Sequence, residues 1–131
     1  MASIFTKIIN GDIPSYKIAE DENYYAFLDI NPLVKGHTLV IPKKEVDYLF
    51  DLEDDLIAGL HVFAKKIANA IDQSTGCIRV GMLVIGTEVP HAHIHLIPFS
   101  DEAEMNIKRP KLKLTNEEFS EIATSIKKFL S

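Results

Sequence analysis

The sequence predicts an α+β domain in which a five-stranded antiparallel sheet carries a long helix and a C-terminal helix. Three observations predict this fold class: five extended segments occur, most are joined by short turns, and the helical segments are set apart along the chain. The 131 residues, 47% apolar and 25% charged, suffice for one ordinary hydrophobic core. We therefore expect residues 1–131 to form a single domain.

The first third of the chain predicts a short helix and three strands. Residues 3–10 place apolar side chains at helical spacing and end on Asn-Gly, a common helix stop. Residues 16–20 and 24–29 predict two strands joined by a polar turn. Residues 38–41 predict a third strand, which Pro42 ends because proline cannot donate to a ladder.

The remaining elements are a long helix, two strands and a terminal helix. Apolar residues recur at the helical period across residues 52–71, with Asp51 as the candidate N-cap and Gly76 after the helix. Residues 78–85 are almost continuously apolar, as expected of a central strand that is buried on both faces. A capping box predicts a final helix over residues 115–129, after the fifth strand.

The fifth strand contains the least ordinary feature of the sequence, a run of alternating histidines. His91, His93 and His95 alternate with apolar residues, so in an extended strand their imidazoles share one face. Proline is disfavoured inside a strand, and Pro90 and Pro98 are therefore expected to bound it. Each imidazolium lowers the pKa of the next imidazole, so at least one histidine is expected to be neutral near pH 7.

Three interpretations of this histidine row stay open on the residues alone. A neutral imidazole could attack phosphorus while its neighbours donate protons or hydrogen bonds to the phosphate and the leaving group. Three imidazoles and a water could instead form an open zinc site. The third interpretation is a polar face of a surface strand that carries no chemistry.

Residues elsewhere could complete a site around the row. His37 precedes the third strand and could hold the second ring nitrogen of a working imidazole. Asp29 ends the second strand and could accept hydrogen bonds from a ribose diol, or it could simply open the following turn. Phe5, Ile8 and Phe27 could border a flat base or belong to the core.

Charge and composition exclude several functional classes. The formal net charge is −5, and the lysines and arginines form no basic stripe, which argues against a protein that tracks a nucleic-acid polymer. No apolar run has the length of a membrane span, and the first residues lack the layout of a secretory signal. The single Cys77 cannot form an internal disulfide. We expect a cytoplasmic protein.

Several blocks of the sequence resemble one family. Residues 91–97 resemble the His-φ-His-φ-His-φ-φ signature, with φ apolar, of the histidine triad (HIT) family of nucleotide hydrolases and transferases. Residues 35–43 are similar to that family's second most recognisable block. Residues 4–9 look like its N-terminal segment, and residues 26–32 resemble the end of its ribose-binding strand. The resemblance covers most of the chain.

The resemblance implies a role for each candidate residue. His93 would be the nucleophile that takes a nucleoside monophosphate as a covalent intermediate. His91 and His95 would contact the phosphate and assist proton transfer. His37 would complete their network, and Asp29 would hold the ribose hydroxyls. The residues implied to border the base are Phe5, Ile8, Phe27 and Ile30.

The resemblance also bears on partners and on the phosphate contacts. It implies a homodimer formed through the helix over residues 52–71, and chemistry without a metal or other cofactor. Many family members carry a Gly-Gln-Ser-like phosphate loop before the histidines, whereas this chain has the shorter segment 86–90, which contains Glu88. Thr87 and Val89 are the candidates for the remaining substrate contacts in this segment.

The leading prediction is therefore an enzyme that cleaves at the α-phosphorus of nucleoside 5′-phosphate derivatives. Phosphoramidates and dinucleoside polyphosphates are the candidate substrates, and a purine nucleotide is the expected small-molecule partner. Two alternatives stay open. One is a nucleotide-binding module with little catalysis, and the other is a metal-dependent hydrolase.

Overall fold

A computed structural model describes residues 2–130; Met1 and Ser131, the ends of the expected domain, lie outside the described residues. The strands are β1 (Lys17–Glu20), β2 (Tyr24–Leu28), β3 (Thr38–Pro42), β4 (Arg79–Leu83) and β5 (Ile94–Phe99). The helices are α1 (Ile4–Ile9), α2 (Asp54–Thr75) and α3 (Asn116–Lys127), with short 3-10 helices at Leu49–Asp51 and Glu102–Met105. All strand pairs are antiparallel in the order β1-β2-β3-β5-β4, which confirms the predicted fold class.

Each face of the sheet is covered by a different layer. The helices α2 and α3 pack on one face, where Ala26, Val40 and Ile94 join the larger hydrophobic cluster. On the opposite face Phe27 of β2 packs against Phe5 of α1 in a second cluster. Because side chains alternate between faces and both faces are covered, every residue of β2 and β3 is buried. The face under α1 is the one that carries the histidines.

The strand predicted over residues 78–85 is not central and is not buried on both faces. β4 covers only Arg79–Leu83 and lies at the edge of the sheet, with β5 as its neighbour. None of its residues is fully buried, Met82 is exposed, and Ile78 just before the strand is 72% exposed. A continuous apolar run indicates burial only where other layers cover both faces. At β4 the cover is incomplete. The prediction of a central strand buried on both faces was therefore wrong.

The prolines do not bound the histidine strand. β5 begins at Ile94, four residues after Pro90, and it continues through Pro98 to Phe99. Pairing with β3 stops at Leu96, whereas Pro98 still lies opposite Val80 of β4. At Pro98 the strand therefore has a partner on one side only, a position where the missing N–H of proline is tolerated. The first two histidines of the row consequently precede the regular strand.

The expected helix ends at Gly76 and Thr115 are confirmed, whereas the expected cap of α2 is wrong. Gly76 ends α2 with a left-handed φ of +65°, as glycine permits, and Thr115 caps α3 in a capping box. Ser3 caps α1. Asp51 is not the cap of α2, because it belongs to a 3-10 helix and the chain turns helical again only after Glu53. Among the described residues, no helix combines the length and the hydropathy needed to cross a bilayer.

Candidate active site

A cavity of about 340 Å³ opens on the face of the sheet under α1. Its walls come from α1, from the ends of β2 and β3, from β5 and from the loops on either side of β5. Most of the residues that the sequence singled out meet here. The predicted residues that line the cavity are Phe5, Ile8, Phe27, Asp29, Ile30, His37, Thr87, Val89, His93 and His95.

His91 is the exception, since it does not line the cavity. Its side chain is fully buried, with Nε2 2.8 Å from the carbonyl oxygen of Pro42 and Nδ1 2.8 Å from the hydroxyl of Ser3. A carbonyl only accepts, so Nε2 donates, and in the neutral ring Nδ1 accepts from Ser3. Burial lowers the pKa of His91 and favours this neutral form. The expected phosphate contact is therefore corrected: His91 anchors the chain instead of touching a ligand.

The main chain of His91 fixes the protons of the next histidine. His93 Nδ1 lies 2.8 Å from the His91 carbonyl oxygen and must donate to it. In a neutral ring this leaves Nε2 without a proton and with a lone pair, as a nucleophile requires. His93 is only 6% exposed, and the ring of Phe5 packs edge-on at 5.1 Å between centroids. His37 is the residue expected to hold the second ring nitrogen, whereas in the structure the His91 carbonyl holds it.

His37 acts on His95 instead. The Leu33 N–H donates to His37 Nδ1 at 3.0 Å, so the proton of a neutral His37 sits on Nε2 and is donated to His95 Nδ1 at 2.9 Å. His95 consequently carries its own proton on Nε2. Burial, and then the charges of neighbouring imidazoles, lower the pKa of His37 to about 3 and that of His95 to about 4. Both rings are neutral at pH 7, and His95 offers an N–H donor.

Asp29 opens the turn after β2 and also faces the cavity. One carboxylate oxygen accepts from the Asn31 N–H at 2.8 Å, which is the turn-opening contact. The other lies 3.5 Å from His37 Nε2, and the residue lines the cavity. Burial raises the pKa of this carboxyl above its usual range, although the Asn31 N–H opposes the shift. The carboxylate is thus held at the cavity wall, where a diol could reach it.

The donor atoms of Asp29, His37 and His95 lie within 4.8 Å of one another, which invites a test of the metal interpretation. A metal between the two rings would need lone pairs on His37 Nε2 and on His95 Nδ1. The Leu33 N–H already holds His37 Nδ1 unprotonated, so a neutral His37 has its proton on Nε2. Metal binding here would break that hydrogen bond or demand an imidazolate. The three residues fit a hydrogen-bonded network better than a metal site.

The N-terminal residues reinforce the buried end of this network. Glu45 accepts from the Ser3 N–H and from the Thr6 hydroxyl, both at 2.6 Å. These hydrogen bonds lower the pKa of Glu45 to about 2. The Ser3 hydroxyl accepts from the Thr6 N–H and donates to His91. The start of α1 is thereby tied to the segment that presents His93.

Replacing Ser3 by alanine is expected to lower the free energy of unfolding by about 2 kcal/mol. The variant loses a helix N-cap and leaves His91 Nδ1 buried without its donor. Urea denaturation of wild type, Ser3→Ala and Ser3→Thr measures the effect, since threonine keeps the hydroxyl. Equal midpoints for wild type and Ser3→Ala would contradict the network.

Some cavity residues were missed by the sequence argument. Ile107 and Lys111 line it, although both belong to the irregular segment between β5 and α3. The segment is held there by a hydrogen bond from the Leu112 N–H to the Pro32 carbonyl at 2.8 Å. No periodicity or motif in residues 106–114 signals this contact across more than seventy positions. The capping role of Ser3 could be inferred in part from the sequence, because residues 3–10 predict the helix that it begins.

The geometry and the sequence together assign the family. Residues 10–102 match the HIT domain, and the chain belongs to the histidine triad (HIT) family. It is 41% identical over 131 residues to an uncharacterized HIT-like protein of Borreliella burgdorferi, covering 94% of each chain. It is also 35% identical over 128 residues to an adenosine 5′-monophosphoramidase of Schizosaccharomyces pombe, covering 96% of each.

Solved structures share the fold. A Hit-like protein involved in cell-cycle regulation from Bartonella henselae has a TM-score of 0.86 and 31% identity, over 98% of this chain and 96% of that one. A zinc-bound histidine triad family protein from Mycobacterium smegmatis has a TM-score of 0.81 and 29% identity, over 99% and 94%. These similarities extend the family assignment to the whole arrangement of helices and strands.

Proposed function

We propose that this protein is a nucleotide hydrolase or transferase that cleaves at the α-phosphorus of nucleoside 5′-phosphate derivatives through a nucleotidyl intermediate on His93. The observation that carries the proposal is the pair of fixed tautomers at the cavity: a lone pair on His93 Nε2 and an N–H on His95 Nε2. The cavity is at the lower end of the range of about 300–1,000 Å³ that small-molecule sites occupy. The similarity to an adenosine 5′-monophosphoramidase supports the same reaction class.

The reaction follows from these two groups. His93 Nε2 attacks the α-phosphorus, a P–N bond forms, and the bond from phosphorus to the leaving group breaks. His95 Nε2–H donates a hydrogen bond to a phosphate oxygen as negative charge builds, or transfers its proton to the departing atom. Water or another acceptor then attacks the phosphorus, and its proton passes to His95 Nε2 where that atom has lost one, or otherwise to solvent. The P–N bond breaks and His93 returns to its starting form. Phosphoramidates and dinucleoside polyphosphates both satisfy this scheme.

The other walls of the cavity are suited to the base and the ribose of a purine nucleotide. Phe5, Ile8 and Phe27 offer apolar surface for the base, with Ile30 at the open rim. Asp29 offers a carboxylate to the ribose hydroxyls. Thr87 and Val89, which also line the cavity, would make further substrate contacts.

A second candidate function is a nucleotide-binding module with little catalysis. The loop before the histidines favours it, because Glu88 lines the cavity and a carboxylate repels phosphate. Pro90 supplies no N–H to that loop. The two functions differ in whether His93 becomes covalently modified.

We also propose a homodimer that involves α2 and the adjoining sheet edge. Val62 on α2 is 70% exposed. β4 is an edge strand that pairs with β5 on one side only, and Ile78 and Met82 are exposed there. Exposed apolar surface next to an open strand edge favours pairing with a second copy. Sedimentation of wild type and Val62→Glu tests it, and a monomeric wild type would overturn it.

The decisive experiment for the reaction is to trap the intermediate. Adenosine 5′-phosphoramidate is mixed, in the presence of a chelator, with wild type, His93→Ala or His61→Ala. Each reaction is quenched in neutral denaturant, and the intact mass of the protein is measured by mass spectrometry. His61 is the matched control, since it lies exposed on α2 and bonds only to the Ile57 carbonyl of its own helix. One adenylyl group is expected on wild type and on His61→Ala, and none on His93→Ala.

Other outcomes separate the alternatives. Nucleotide binding without turnover or adduct would favour the binding module. Turnover that the chelator abolishes would favour the metal-dependent hydrolase. An adduct on His93→Ala would overturn the assignment of the nucleophile.

A further inference from the structure

The walls of the cavity supply little positive charge for an anionic ligand. Asp29 and Glu88 both line it and bring carboxylates, while His37 and His95 are neutral at pH 7. A nucleoside monophosphate adds a phosphate with a charge of about −1.5 to −2 at pH 7. Without a cation, such a ligand would meet net repulsion at the cavity wall. Among the described residues that line the cavity, Lys111 is the only lysine or arginine.

The ammonium of Lys111 is held in place by its own loop. Its Nζ donates to the carbonyl oxygens of Ile107 and Arg109, so the loop closes around it. An ammonium has three donors, and these two bonds leave one N–H for a further acceptor. The next residue, Leu112, bonds to Pro32 beside the Asp29 turn and fixes the loop at this end of the cavity. A flexible surface lysine is thereby given a defined position.

Lys111 lines the same cavity as Asp29, His37 and His95. Its charge acts on His95 and on His37, lowering their pKa values after the larger effect of burial and of the neighbouring imidazoles. It opposes the burial that raises the pKa of Asp29. In the proposed function a ribose 5′-phosphate would sit between Asp29 and His95, which share this cavity with Lys111.

We propose that Lys111 is a substrate-binding residue that contacts the phosphate and makes the cavity select nucleotides over nucleosides. This proposal rests on the proposed function, because it takes the cavity to be the nucleotide site. Lys111 supplies the positive charge that the loop over residues 86–90, with Glu88, does not. The ligand class is a nucleoside 5′-phosphate, recognised by a point charge and one N–H donor.

The test compares AMP with adenosine by isothermal titration calorimetry at low salt. Lys111→Met is expected to weaken AMP binding about three- to tenfold and to leave adenosine binding unchanged. Lys111→Arg should retain most of the AMP affinity because it keeps the charge. Lys108→Met is the matched control, since it removes the same charge from the same segment at a position that does not line the cavity.

Three results would overturn the proposal. They are unchanged AMP affinity in Lys111→Met, equal losses for AMP and adenosine, and an equal loss in Lys108→Met. A thermal melt of each variant shows that the fold is intact. If wild type binds neither AMP nor adenosine, the proposed function itself fails, and the assignment of Lys111 fails with it.

Discussion

His93→Ala should lower kcat for adenosine 5′-phosphoramidate by at least about 10³-fold, or about 4 kcal/mol in activation free energy. The substitution removes the atom that forms the P–N bond, and no other described imidazole can replace it. His91 is fully buried, with both ring nitrogens bonded to protein. The Nδ1 lone pair of His95 accepts a hydrogen bond from His37 Nε2. Single-turnover kinetics measure the effect.

Binding should respond differently. Affinity for AMP in His93→Ala should stay within about threefold of wild type, because the variant retains the residues proposed to contact the base, the ribose and the phosphate. His61→Ala should match wild type in both measurements. Residual turnover of His93→Ala near the wild-type rate would refute the nucleophile, whereas lost AMP binding with an intact melting transition would reassign His93 to ligand binding alone.

Acidification should destabilise the fold well before the carboxylates titrate fully. The folded pKa values of His37 and His95 are about 3 and about 4, whereas the reference value is 6.5. Between those limits the unfolded chain binds more protons than the folded chain, so the free energy of unfolding falls as pH falls. From pH 7 to pH 4.5 the loss is about 2–3 kcal/mol for each imidazole.

Other buried groups modify this slope. The lowered pKa of His91 adds to it in the same direction, again through burial. The raised pKa of Asp29 opposes it, because the folded chain then takes up that proton more readily than the unfolded chain. Urea titrations between pH 4.5 and 7.5 measure the sum.

A pair of glutamine variants isolates the contribution of one imidazole. His37→Gln should flatten the pH dependence of stability by about one proton, whereas His61→Gln, at an exposed position, should leave it unchanged. Identical slopes for wild type and His37→Gln would show that His37 is not held neutral by burial.

Local rules predicted much of the fold and of the site. The two-residue alternation correctly separated Ala92, Ile94 and Leu96, which enter the core, from His93 and His95, which face the cavity. Caps and periodicity located the helices because those signals lie within a few residues of one another. Asp29 and His37 reached the site because they end or precede neighbouring strands.

The features that the sequence did not predict depend on contacts between distant parts of the chain. The burial of His91 is decided by Ser3 and Pro42, neither of which is near it in sequence. The exposure of β4 follows from its place at the sheet edge, which strand order determines and composition does not. Lys111 enters the cavity through a loop whose docking on Pro32 has no periodic signal.

The peptide groups that fix the three imidazoles set a particular constraint on sequence change. The Pro42 and His91 carbonyls and the Leu33 N–H are present whatever side chains those positions carry. Related chains can therefore vary at positions 33 and 42 without altering which ring nitrogens hold protons. Proline at position 33 is the exception, because it would erase the donor on which the His37 and His95 tautomers depend.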